Sequence, residues 1–107
     1  MTLTREEILA MEPGQELSEL VAVHVMDYEV GVVSLGHWEP SENISAAWEV
    51  ESIFDQDTPL REDYAIELHN VMGLMLHEPT TLNNVYQFAH ATPEQRCKAA
   101  LLAVLNL

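Results

Sequence analysis

Five histidines, His24, His37, His69, His77 and His90, and a single cysteine, Cys97, are the residues of this sequence best suited to metal binding or nucleophilic chemistry. Zinc motifs gather their ligands within a few residues, and no pair here has that tight local spacing. His69, His77 and His90 fall near the ends of expected strands, where convergence with Glu67 or Glu78 would depend on register, so no metal site and no cofactor is expected. His24 lies on the apolar face of an expected helix and reads as a core histidine bonded to a backbone carbonyl. Cys97 lies on the apolar face of the last helix. Arg96 and Lys98 flank it in sequence, but residues one apart do not share a helix face, so the thiol is expected to be buried and inert. The chain has no glycine-rich phosphate loop, no nucleophile elbow and no grouping of serine, histidine and acid beyond chance. No enzyme activity is expected.

Charge is the unusual property. Eighteen Asp and Glu stand against four Lys and Arg, for a formal net charge of −14. Sixteen of the acids lie between Glu6 and Glu67, a span whose only base is Arg61. Such a surface repels phosphate backbones and anionic membranes, so direct binding of nucleic acid or lipid is not expected, and the natural partners are basic protein surfaces or cations. The candidate partner-binding residues are Glu16 and Glu19, three apart on the second helix, Glu49 and Glu51 on the third, and Asp55, Asp57, Glu62 and Asp63 in and around "FDQDTPLRED". Carboxylates at helical spacing lie about 5–6 Å apart at Cβ, and duplex DNA also presents closely spaced fixed negative charges. An acidic face of this kind can occupy a nucleic-acid groove on another protein. The competing reading is a solvated surface that only keeps the chain soluble.

The elements that must carry these residues follow from caps and periodicity. At 107 residues, 48% of them hydrophobic, the chain is expected to form a single domain over 1–107. Thr4 and Glu7 form a capping box for a short first helix. After Pro13 and Gly14, residues Leu17, Leu20, Val21, His24 and Val25 make one face of a second helix. The segment from 27 to 43, with Val30 to Val33 between turn formers, reads as a loop carrying one short strand or hairpin. Asn43 or Ser41 caps a third helix whose face is Ala46, Ala47, Val50, Ile53 and Phe54, with Trp48 at its margin. From residue 62 the apolar period reads as 2 rather than near 3.6, with Tyr64, Ile66 and Leu68 alternating with Asp63, Ala65, Glu67 and His69. "VMGLMLHE" and "NVYQFAHA" extend that pattern into an expected antiparallel meander. Thr92, Pro93 and Gln95 then open a last helix with the stripe Cys97, Ala100, Leu101, Val104 and Leu105. The fold class expected is α+β, an antiparallel sheet of about three to five strands sandwiched between helices. No apolar run approaches the roughly 18 residues of a membrane span, and the first residues lack the basic flank and apolar stretch of a secretory signal.

Three segments, "EEILAMEPGQELSELVAVHVM", "SENISAAWEV" and "ATPEQRCKAALLAVL", resemble the phage ABA sandwich domain family of bacteriophages and prophages, in order from about residue 5 to residue 105. The resemblance implies a sheet held between helices and a phage or prophage origin, and it brings no agreed activity and no catalytic residues. Charge and implied origin together give the expected function: a protein of the bacterial host cytoplasm that binds and inhibits a host nucleic-acid-handling or defence complex, of anti-CRISPR or anti-restriction type, by mimicking negative charge. The alternatives are a module sequestering a nucleotide-like immune signal, or a virion structural or assembly factor. A homodimer through an exposed strand edge or the surroundings of Trp38 and Trp48 is a further possibility.

Overall fold

Thr4, Asn43 and Thr92 each accept a hydrogen bond from the amide three residues on, and so start three of the helices seen in a computed structural model that describes residues 3–28, 38–73, 86–87 and 89–107. The elements are α1 (Arg5–Ala10), α2 (Gln15–His24), α3 (Ile44–Ser52) running into a 3₁₀ turn (Ile53–Gln56), α4 (Thr58–Met72) and α5 (Pro93–Leu105). Of the described residues, 72% are helical and none is in a strand, so the fold is helical and the expected α+β sandwich is overturned.

The clearest correction is α4. The segment read as the first strand of a meander is the second half of a 15-residue helix. Leu60, Tyr64, Leu68 and Met72, four apart, form its inner row; Tyr64 and Leu68 are buried and the outer two pack against the core. Ile66, which made the spacing look like 2, is exposed. Local signals agree with the helix: the Asp57 carboxylate caps the Leu60 amide at 3.0 Å, Pro59 sits in the first turn, and Gly73 closes the end with φ 75°, a left-handed conformation that glycine adopts without strain. The meander's continuation falls partly outside the described residues, as does the strand expected at Val30 to Val33. Where the chain is described again, residues 86–87 and 89 are helical and the His90 amide donates to the Tyr86 carbonyl at 3.2 Å.

Helix α5 is the centre of the molecule. Arg96 to Ala103 are all buried, as a helix must be when neighbours cover every side, and α1, α2, α3 and α4 each pack on it. Its Cys97, Ala100, Leu101 and Leu102 meet Ile8 of α1, Leu17 and Val21 of α2, Val50 of α3, Phe54 of the 3₁₀ turn and Leu68 of α4 in one core. The expected faces of α2 and α3 hold apart from two residues. His24, read as a core histidine, is exposed at the C-terminal end of α2, and Ile53 is exposed while Phe54 turns inward. At both places the next residue, Val25 or Phe54, is the one that packs into the core.

Long-range polar contacts close the bundle, among them a serine cluster and an ion pair. The Ser41 hydroxyl donates to the Gly14 carbonyl at 3.0 Å and accepts from the Gly14 amide at 2.9 Å. With its proton so committed, it accepts from the buried Ser18 hydroxyl at 2.8 Å, tying the segment before α3 to the start of α2. Arg5 of α1 grips Glu67 of α4 with two parallel bonds, Nη1 to Oε2 at 2.7 Å and Nη2 to Oε1 at 3.0 Å. These bonds hold the Glu67 carboxyl below the ordinary glutamate range, against the opposing effect of its burial. A carboxyl whose folded pKa is depressed stabilises the fold above its unfolded pKa and loses that contribution as pH falls through the folded value. Glu67→Gln should therefore be less stable at neutral pH by about 1 kcal/mol or less, and the gap should close in acid. Urea midpoints of both proteins between neutrality and the acid limb check this.

Candidate functional site

The acidic residues singled out from the sequence are distributed over three regions. Glu16 is exposed in the first turn of α2, where the helix dipole favours an anion, and Glu19 is half-buried one turn on. Gln15, Glu16, Glu19 and Leu20 line an open groove of about 420 Å³. Glu49 is exposed on α3. Asp55, Asp57, Glu62 and Asp63 are all exposed and cluster at the 3₁₀ turn and the first turns of α4. From Asp57 to Asp63 the helical rise covers only about 9 Å. The four are thus near one another along the chain, but Glu62 and Asp63, one apart, do not share a helix face, Asp63 lies beside Leu102 and Asn106 at the end of α5, and Glu16 and Glu19 sit on a different helix that packs against α5.

Glu51 has another role. Its Oε2 accepts from the Tyr64 hydroxyl at 2.5 Å and from Nη1 of Arg96. Burial first, and then the neighbouring Glu51 carboxylate, push the Tyr64 pKa far above its ordinary value, so the phenol stays a donor at every working pH. Arg96, with its side chain 5% exposed, also donates to the Ala91 carbonyl (Nε, 3.1 Å) and the Ala89 carbonyl (Nη2, 3.0 Å). One guanidinium thereby joins α3, α4, α5 and the turn before α5. Sequence reasoning treated Arg96 only as a neighbour of Cys97; the signal available was a pair of cations inside an otherwise apolar run, "RCKAALLAVL".

The same holds for every cation of the chain. Lys98 donates to Glu94 at 2.6 Å and to the Leu9 carbonyl at 2.9 Å, Arg5 pairs with Glu67, and Arg61 donates to the Asp55 carbonyl at 3.1 Å. All four Lys and Arg are engaged in internal contacts, three of them with a carboxylate. Asp55, Asp57, Glu62 and Asp63 lie in none of those three ion pairs.

The nucleophile and metal candidates are placed differently. Cys97 is fully buried, and burial pushes its thiol pKa up to about 12. It should resist thiol reagents at mildly alkaline pH in the native protein and react stoichiometrically once the chain is unfolded in guanidinium, as a colorimetric thiol assay would read. His69 and His90 each point Nδ1 at the carbonyl four residues back, Ala65 and Tyr86, at 2.8 Å, and the His90 ring stacks on Tyr86 at 4.2 Å. A carbonyl only accepts, so Nδ1 carries the proton in both. His37 and His77 lie outside the described residues. Among the described residues no three His, Cys, Asp or Glu are grouped so as to hold a metal ion, and no helix is long and apolar enough to cross a membrane.

Neither a curated protein nor a solved structure matches the chain. The family model of the Phage ABA sandwich domain matches residues 19–101, from within α2 to within α5. The layered sheet in that family's name is not found among the described residues, all of whose regular elements are helical. With most of its 107 residues matched, the chain belongs to the Phage ABA sandwich domain family.

Proposed function

We propose that this protein acts in the bacterial host cytoplasm as an inhibitor of a host nucleic-acid-handling or defence complex, such as a restriction or CRISPR assembly, and that it does so by presenting negative charge in place of nucleic acid. The observation that carries the reading is the division of charge: three of the four cations are paired with carboxylates and the fourth, Arg61, is exposed with its guanidinium on the Asp55 carbonyl, while Glu16, Glu49, Asp55, Asp57, Glu62 and Asp63 face solvent. The net charge of −14 is therefore expressed outward, which favours basic partners and fast, salt-sensitive association. A module that sequesters a nucleotide-like signal would need cations free to meet phosphate.

The test is capture from host lysate by the tagged protein at low and at raised salt, with mass spectrometry of what is retained. The reading expects a basic nucleic-acid-binding complex that is lost with salt and displaced by duplex DNA. Tight DNA binding by the purified protein itself, or capture indifferent to salt, would refute it. Reversing Asp55, Asp57, Glu62 and Asp63 together to lysine should slow association by about tenfold or more and flatten its dependence on ionic strength, with a smaller change in dissociation rate. Surface plasmon resonance across a salt series reads both.

A further inference from the structure

The outer face of α3 carries an apolar row that is exposed and packs on no other described helix. Trp48 is 56% exposed and Ile44, four residues before it and so directly adjacent on the helix surface, is 36% exposed, while Ala46, Ala47 and Val50 are buried against the core. Carboxylates frame the row. Glu42 stands just before the helix, Glu51 lies one turn beyond Trp48 with a third of its side chain exposed, and Glu49 occupies the neighbouring row with Ile53, itself 42% exposed. Arg96 lies beneath this helix, and Arg61 is held on the Asp55 carbonyl beyond its end.

We propose that this face docks a lysine- and arginine-rich protein segment that lays an apolar side chain against Trp48 and Ile44. The class of partner rests on the inhibitor reading above; the anchor is the addition. Charge decides between occupants. A second copy of the chain would set Glu42 and Glu49 against carboxylates of a molecule also at −14, whereas a basic segment meets the opposite charge of Glu42 and Glu49, Glu51 being already paired with Arg96. An exposed indole suits such a guest because lysine and arginine stack on its face while their stems and an apolar neighbour cover its edge. Tryptophan ringed by polar groups is also the usual composition of an interface hot spot, so the carboxylates set the encounter rate and Trp48 sets the residence time.

Trp48 and Trp38 are the only tryptophans, so Trp38→Phe leaves Trp48 as the sole indole reporter. The probes are three synthetic helical peptides of equal length: lysine with leucine, lysine with serine, and glutamate with leucine. The lysine–leucine peptide should shift Trp48 emission to the blue at low salt and be released as salt rises. By calorimetry Trp48→Ala should bind it at least roughly tenfold more weakly, and Glu49→Lys should weaken it with a shallower salt slope, both variants keeping the parent circular dichroism and melting curve. No binding of that peptide, equal affinity in Trp48→Ala, equal binding of the lysine–serine or glutamate–leucine peptide, or a homodimer in sedimentation that Trp48→Ala dissociates would each overturn the proposal. The peptide assay needs no host component. A positive peptide result with an empty lysate capture keeps the anchor and discards the host-complex reading, and lysate capture that survives Trp48→Ala does the reverse.

Discussion

Arg96→Met should destabilise the protein by about 3 kcal/mol, read as a lowered urea midpoint with an unchanged slope. Methionine keeps most of the side-chain volume but none of the donors. Its loss would leave the Glu51 carboxylate facing only the Tyr64 hydroxyl, and the carbonyls of Ala89 and Ala91 without the guanidinium that now satisfies them. The expected value lies at the low end for a broken buried pair because Glu51 is a third exposed and can be hydrated, whereas Arg96 is enclosed. Arg96→Lys should recover only part of the loss, since an ammonium on a flexible stem cannot serve Glu51 and two carbonyls with the planar fork that serves them now. Glu51→Gln combined with Arg96→Met should cost less than the sum of the two single changes, because the second removes a partner already lost. A loss under about 1 kcal/mol for Arg96→Met would mean that the network follows the fold without supporting it.

Phe54→Ala is expected to cost about 3–5 kcal/mol through the cavity left at the junction of α3 and α4. The ring is 1% exposed and stacks on Tyr64 with centroids 4.6 Å apart and planes 14° from parallel. Phe54→Leu, which refills much of the space, should lose only about 1–2 kcal/mol. Removing the ring also frees Tyr64, whose hydroxyl meets Glu51, so Phe54→Ala and Arg96→Met should couple by more than the roughly 0.5 kcal/mol seen for independent sites. Thermal and urea denaturation of the two single variants and the double variant measure that coupling. Strict additivity would separate the aromatic stack from the charge network. The position also bears on the proposed acidic surface, since Phe54 anchors to the core the 3₁₀ turn from which Asp55 and the cap residue Asp57 project.

Helix α4 shows how a pattern misleads over a short window. Tyr64, Ile66 and Leu68 alternate as strand residues do, yet over the longer window from Leu60 to Met72 the apolar residues recur every four, and Ile66 is the exception that solvent takes. Asp57, Pro59 and Gly73 marked the helix ends in the sequence, and the alternation outweighed them. The helix starts at Thr4, Asn43 and Thr92, the stripe Cys97, Ala100 and Leu101, the burial of Cys97 and the acidity of the span around Asp55 were all legible, because a cap acts within three residues and a stripe within one helix. Tertiary structure alone decided that α5 is enclosed on every side, which buries Arg96 and Lys98 and turns Glu51 from a display residue into the counter-charge of Arg96. It alone decided, too, that His24 faces water and that Trp48 and Ile44 lie uncovered beside carboxylates. Helix caps and stripes are set by neighbours along the chain, but burial and the pairing of charge are set by whichever other helices the core brings alongside, and those contacts join residues as far apart as Leu9 and Lys98.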